Sequence, residues 1–236
     1  HGATLAAGGS FTRAGSVTLN CVGLLDGGLW EGFDGGVTGE SAEVFALLSR
    51  AGNLVVGGHF VEAGSDTVNN IAMWNGASWA DRGGGVANYG VINIASVHAL
   101  SIYQGKLLVA GLFDDGGATD IGAIATWNGA VWNPVGTPGG ENRAAFVAGP
   151  RIFAAGHFDH VAYMVPAYNA AQWTGAEWKG MDYGVLATGG PDIGTAMCVT
   201  GYRGQIIFGG EFARADSLSA PHLAAWTGSR WMPFVV

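Results

Sequence analysis

LVVGGHFVEAGSDTVNNIAMWNGASW, residues 54–79, is the stretch whose reading decides the fold. An apolar run closes on Gly57, Gly58, His59 and Phe60. A polar segment leads to a second apolar run, an Asn75-Gly76 turn and Trp79. Read alone, the stretch suggests two chemistries. His59 with the acids after it has the composition of a metal or acid–base cluster, and Trp74 with Trp79 that of a sugar-stacking platform.

Its recurrence gives another reading. The glycine step returns as LAAGGSF (5–11), LLVAGLF (107–113), IFAAGHF (152–158) and IIFGGEF (206–212). The closing phenylalanines, Phe11, Phe60, Phe113, Phe158 and Phe212, are spaced by 49, 53, 45 and 54 residues. The tryptophan turn returns in phase as WNGAVW (127–132), WTGAEW (173–178) and WTGSRW (226–231), with a degenerate LDGGLW at 25–30. All nine tryptophans lie in these turns. A further apolar element precedes each later copy, as in EVFALLSRAGN (43–53) and SVHALSIYQGK (96–106).

Each repeat therefore reads as four short strands. Strand A is of the VFALLS type, and strand B of the LVVGG type reads as buried on both faces. About ten polar and small residues lead to strand C of the IAMW type. A glycine-containing turn, which supplies positive φ, leads to strand D at the second tryptophan. Four antiparallel strands at a period of 45–54 residues predict β-propeller blades, which bury their faces by stacking. The expected repeats span about 1–42, 43–95, 96–142, 143–194 and 195–236, within a single all-β domain. The first lacks a strand A. Either its blade has three strands or the sequence is an excerpt of a longer protein, and the start at His1 favours the excerpt.

The glycine step, the aromatic before the turn and the tryptophan after it resemble kelch repeats. The fuller GGHFVEAG…NNIAMWNGASW form is similar to the kelch-like repeats of large secreted and cell-surface proteins, found in bacteria and in fungal cortical marker proteins. The resemblance spans essentially the whole chain. It implies a five-bladed propeller, or five repeats of a larger ring, and an extracellular or cell-surface, bacterial location. It implies no reaction, because such propellers serve as binding modules and as enzyme scaffolds.

Bulk composition narrows the partners. The formal net charge is −8 and the chain has two lysines, so there is no basic stripe for nucleic acid or anionic membrane. No apolar run approaches the roughly 20 residues of a membrane helix. The expected partner is a protein or a larger parent chain, or a glycan, with no nucleic acid and no membrane insertion. Cys21 and Cys198 form no disulfide framework and read as two buried free thiols.

The residues that vary between repeats are the candidate site, on the face that carries the B–C and D–A loops. Between glycine step and phenylalanine stand Ser10, His59, Leu112, His157 and Glu211. The histidines and the glutamate are metal-ligand types, yet Ser10 and Leu112 interrupt the set. HFDH adds Asp159 and His160, and the second repeat adds Glu62 and Asp66. FDDGGATD offers Asp114, Asp115 and Asp120 as oxygen donors for calcium, without the spacing of a known calcium loop. No residue is expected to be catalytic, and no metal or other cofactor is expected beyond that calcium option. The expected function is a non-enzymatic binding or structural module. A lectin-like propeller is the first alternative and a secreted glycoside hydrolase the second.

Overall fold

The computed structural model describes residues 4–88, 94–117, 119–136, 138–161, 165–187 and 194–234. Parts of the second and last D–A connections, 89–93 and 188–193, lie outside the described residues. Among the described residues there is no helix, and none long and apolar enough to cross a membrane. The chain is all-β, and its four-stranded antiparallel sheets fit a β-propeller-like class.

Contacts divide the chain into two compact units. One comprises residues 1–100, 113–120 and 127–132, the other 101–112, 121–126 and 133–236. In the first unit, the second repeat forms a sheet of strands A to D: Glu43–Arg50, Asn53–His59, Ile71–Trp74 and Trp79–Asp81. The first repeat forms a sheet of three strands, Leu5–Gly8, Val22–Asp26 and Leu29–Gly32, equivalent to B, C and D. In the second unit, the fourth repeat pairs Glu141–Ala148, Arg151–His157, Ala170–Trp173 and Trp178–Gly180. The fifth pairs Thr195–Tyr202, Gln205–Glu211, Leu223–Trp226 and Trp231–Pro233. The third repeat supplies Ser96–Tyr103, Lys106–Leu112, Ile124–Trp127 and Trp132–Pro134 in the same succession.

The glycine step has a steric cause. Strand A carries a β-bulge opposite it, between Val44 and Ala46, Asn142 and Ala144, and Ala196 and Cys198. A Cβ on Gly58, Gly156 or Gly210 would collide with the carbonyl oxygen of Glu43, Glu141 or Thr195 on the bulged strand. The glycine before it serves sheet stacking. A Cβ on Gly8 would strike Val44 of the next sheet, and one on Gly57 would strike Val97. Both valines are buried, each contributing roughly 1.5–3 kcal/mol of apolar burial.

The second tryptophan of each hairpin ties its repeat to the one before. Trp79 Nε1–H donates to Phe33 O at 2.8 Å, Trp132 to Arg82 O at 3.0 Å, Trp178 to Val135 O at 2.9 Å and Trp231 to Met181 O at 2.7 Å. All four rings are buried. The first tryptophan packs on the second at 5.2–5.8 Å between ring centroids. The turn glycines Gly76, Gly129, Gly175 and Gly228 have φ of 99–106°, as the WNG and WTG patterns require.

The polar B–C segments are more ordered than the expected loop. Those of the first, second, fourth and fifth repeats hold a ribbon of two-residue strands, such as Glu62–Ala63 with Asp66–Thr67, or Arg214–Ala215 with Leu218–Ser219. These pair in turn with Val37–Thr38 and Val185–Leu186, which follow strand D of the preceding repeat. Cys21 is buried, its Sγ–H donating to Ala42 O at 3.1 Å; burial first, and the Glu43 charge second, push its thiol pKa up. Cys198 corrects the expectation of a second buried thiol. It lies opposite Gly209 on a sheet face open to solvent and is exposed.

Candidate functional site

One residue before strand C the backbone turns left-handed in four repeats: Cys21, Asn70, Asn169 and His222 have φ between 62° and 68°. This conformation costs most side chains about 1–2 kcal/mol, and asparagine less. Asn70 Oδ1 accepts from Phe60 N at 3.2 Å, while its Nδ2 donates to Val86 O at 2.8 Å. Asn169 repeats this with Phe158 N (3.2 Å) and Val185 O (2.9 Å). Both asparagines are buried, and each bolts the end of strand B to the short strand that follows strand D of its own repeat. The polar NN in the opening stretch is thus frame as well as loop.

On this frame a cleft of about 340 Å3 opens in the second unit. It is lined by Gly139, Gly140, His157, Phe158, Asp159, His160 and Asn169. His157 Nδ1–H donates to Gly194 O at 3.2 Å. His160 Nδ1–H donates to Asp159 Oδ1 at 2.5 Å, and both side chains reach solvent. With Nδ1 engaged in each ring, both Nε2 atoms are left to accept a hydrogen bond when neutral or donate one when protonated. Gly139 makes the space: a Cβ there would fall 2.5 Å from His160 Nε2. Behind the wall sits Asn142, buried, whose Nδ2 donates to Gly140 O at 3.4 Å. Its Oδ1 has no partner among the described residues.

The other candidates lie apart from this group. His59 Nδ1–H donates to Ala95 O at 2.9 Å, a tie to the next strand A. Glu62 accepts from Thr38 Oγ1 at 2.7 Å. Asp66 is exposed on the ribbon opposite Ala63. The Asp114 amide donates to Ala87 O at 3.1 Å, and Asp115 forms a bridge with Asp120. Asp115 Oδ1 is buried without a partner among the described residues. Glu211 is exposed opposite Thr195. Among the described residues no group of three or more His, Cys, Asp or Glu is arranged to hold a metal ion. Sequence reasoning singled out His157, Asp159 and His160 but missed Gly139, Asn142 and Asn169. The signal available for Asn169 was the recurrence of Asn70 just before strand C.

No protein-family model matches this chain, and no curated protein matches it.

Proposed function

We propose that this chain is a non-enzymatic binding module: a secreted or cell-surface β-propeller of kelch-like repeats, five-bladed or part of a larger ring. It acts within a larger protein or assembly, and its ligand is held in the cleft of the fourth repeat. One observation carries the reading. The residues every repeat shares are consumed by scaffold, while four departures of the fourth repeat's loop end from the second's gather at one place. Thr38 gives way to Gly139, Glu62 to His160, Val61 to Asp159 and Val44 to Asn142. The first three shape the cleft and the fourth backs it with an unsatisfied buried carbonyl oxygen. Departures that open space and leave a polar atom unpaired cost stability, which is the pattern of a retained site.

The buried tryptophans favour this reading over sugar stacking, because Trp79, Trp132, Trp178 and Trp231 are engaged by packing and by a carbonyl acceptor. The test compares the full chain with the Gly139→Thr/His160→Glu variant, which imposes the second repeat's arrangement, on glycan and peptide arrays. Saturable binding that falls at least tenfold in the variant is expected. A glycan hit selects the lectin-like form, and release of reducing ends from that glycan moves the assignment to a glycoside hydrolase. Equal binding by both proteins, or none by either, refutes the cleft.

A further inference from the structure

A second cleft, of about 170 Å3, lies in the second unit, where the A–B turn and strands C and D of the third repeat meet the tryptophan turn of the fourth. Its lining includes Gln104, Lys106, Thr126, Asn133, Val135 and Trp173. Tyr103 forms a fixed wall. Its hydroxyl accepts from Trp173 Nε1–H at 3.1 Å and from Gln104 Nε2–H at 3.2 Å, and donates to Pro150 O at 3.0 Å. These three bonds use its one donor and both acceptor sites, while Gln104 keeps a second amide N–H.

The second repeat shows what opens this space. Where the third repeat has Thr126 and Val135, the second has Met73 and Arg82, and the Arg82 guanidinium lies against the Met73 sulfur, Nη2 to Sδ 2.7 Å. The tryptophan bonds fix the equivalence, since Trp132 donates to Arg82 O and Trp178 to Val135 O. Two short side chains thus replace a pair that closes on itself. Two changes of charge go with them. Asp81 gives way to Pro134, so no carboxylate lines the cleft, and Asn53 gives way to Lys106. The chain has 18 acidic residues and two lysines. Lys179 pairs with Glu177 at 3.0 Å, whereas Lys106 has no carboxylate partner among the described residues.

We propose that this cleft binds a carboxylate group, carried by a small organic acid or by an acidic side chain of a peptide. Lys106 supplies the counter-charge and Gln104 an amide donor, while Val135 and Trp173 give the carbon chain an apolar surface. An ammonium–carboxylate hydrogen bond is charge-assisted, and a partly enclosed site strengthens it over open water. The space of about 170 Å3 is smaller than the roughly 300–1,000 Å3 of sites that take whole drug-sized ligands, so it admits one group the size of a side chain. The site shares no lining residue with the cleft beside His160 and does not depend on it.

The probes are propionate, its neutral isostere propionamide, and the acidic peptide acetyl-Gly-Glu-Gly-amide, each titrated into the full chain at constant ionic strength. The readout is the indole N–H resonance of Trp173, which lines the cleft and is bonded to Tyr103. Propionate should give a saturable shift with a dissociation constant below about 20 mM. Propionamide should bind at least about fivefold more weakly, and Lys106→Gln should weaken propionate by about the same factor, while Lys106→Arg keeps it within about twofold. Thr126→Met/Val135→Arg, which rebuilds the closed pair of the second repeat, should abolish the shift. Lys106→Gln leaves the Tyr103 bonds in place, so it tests the site even if the double variant folds poorly. Tighter binding of the peptide than of propionate assigns the carboxylate to a polypeptide, and equal or weaker binding assigns it to a free acid. No saturable shift with either carboxylate at about 100 mM, equal binding of propionamide, or undiminished binding by Lys106→Gln overturns the proposal.

Discussion

The loop ends of the second and fourth repeats share a backbone and differ in what they leave open. Each has a histidine after the glycine step whose Nδ1–H donates to a carbonyl near the start of the next strand A. Each has a buried asparagine at φ of 62–63°. In the second repeat the next residues close on themselves, Thr38 Oγ1–H donating to Glu62. In the fourth, Gly139 removes the side chain on one strand and His160 leans over it, partnered by Asp159, so a cleft remains. A histidine in this fold is therefore no sign of chemistry by itself. The sign is the smaller residue across from it.

If the frame is common, breaking it must cost the same in both places. Asn70→Ala and Asn169→Ala each remove two buried hydrogen bonds, strand a backbone N–H and put alanine in the left-handed region. We expect about 3 kcal/mol for each by urea denaturation. A difference of more than about 1 kcal/mol between them would show that the two loop ends are not equivalent. Next in size, Gly139→Thr drives a Cβ into the His160 ring and should cost about 2 kcal/mol. Adding His160→Glu supplies the acceptor that Thr38 has and should recover about half of that loss, read as a coupling in a double-mutant cycle. Additive losses would mean the Thr38–Glu62 arrangement is not transferable. Asn142→Val, copying Val44, replaces a buried unsatisfied amide with an apolar side chain and should raise stability by about 1 kcal/mol. If Asn142 serves the cleft, that more stable protein binds its ligand less well, and a variant that gains stability and keeps full binding assigns Asn142 to the scaffold alone.

Much of this was legible in the sequence because repetition separates two kinds of residue. Phe60, the glycine step, the apolar strand C and Trp79 recur with their siblings, and the recurrence alone gave the strand succession and the antiparallel pairing. Other features stayed hidden for physical reasons. The acceptors of the tryptophan N–H groups, such as Phe33 and Val135, lie 43 to 50 residues upstream and are backbone atoms, which carry no residue signature. The left-handed position before strand C is filled by Cys21, Asn70, Asn169 and His222, three residue types of dissimilar chemistry united only by φ. The cleft was half-visible: HFDH drew attention, but Gly139 is one of 42 glycines, and its role appears only opposite His160.

A last contrast lies one turn away and has the smallest expected effect. In the first unit Asp34, at φ 40°, faces Gly64, while in the second Asp182, at φ 51°, faces Asp216. Burial first, and the Asp216 charge second, raise the Asp182 pKa above the ordinary aspartate value. A carboxyl raised in the folded state holds its proton more tightly there than in the unfolded chain. Its contribution to stability is therefore full below about pH 4 and is lost as pH rises through the elevated folded value. Asp182→Asn keeps a side chain tolerant of positive φ and removes that loss, so the Tm of the variant should exceed the parent's at pH 7 and converge with it in acid. Because burial is the larger cause, Asp216→Gly, which copies Gly64, should recover less of the neutral-pH Tm than Asp182→Asn does. The reverse order would make the neighbouring charge, not desolvation, the dominant cost at this turn.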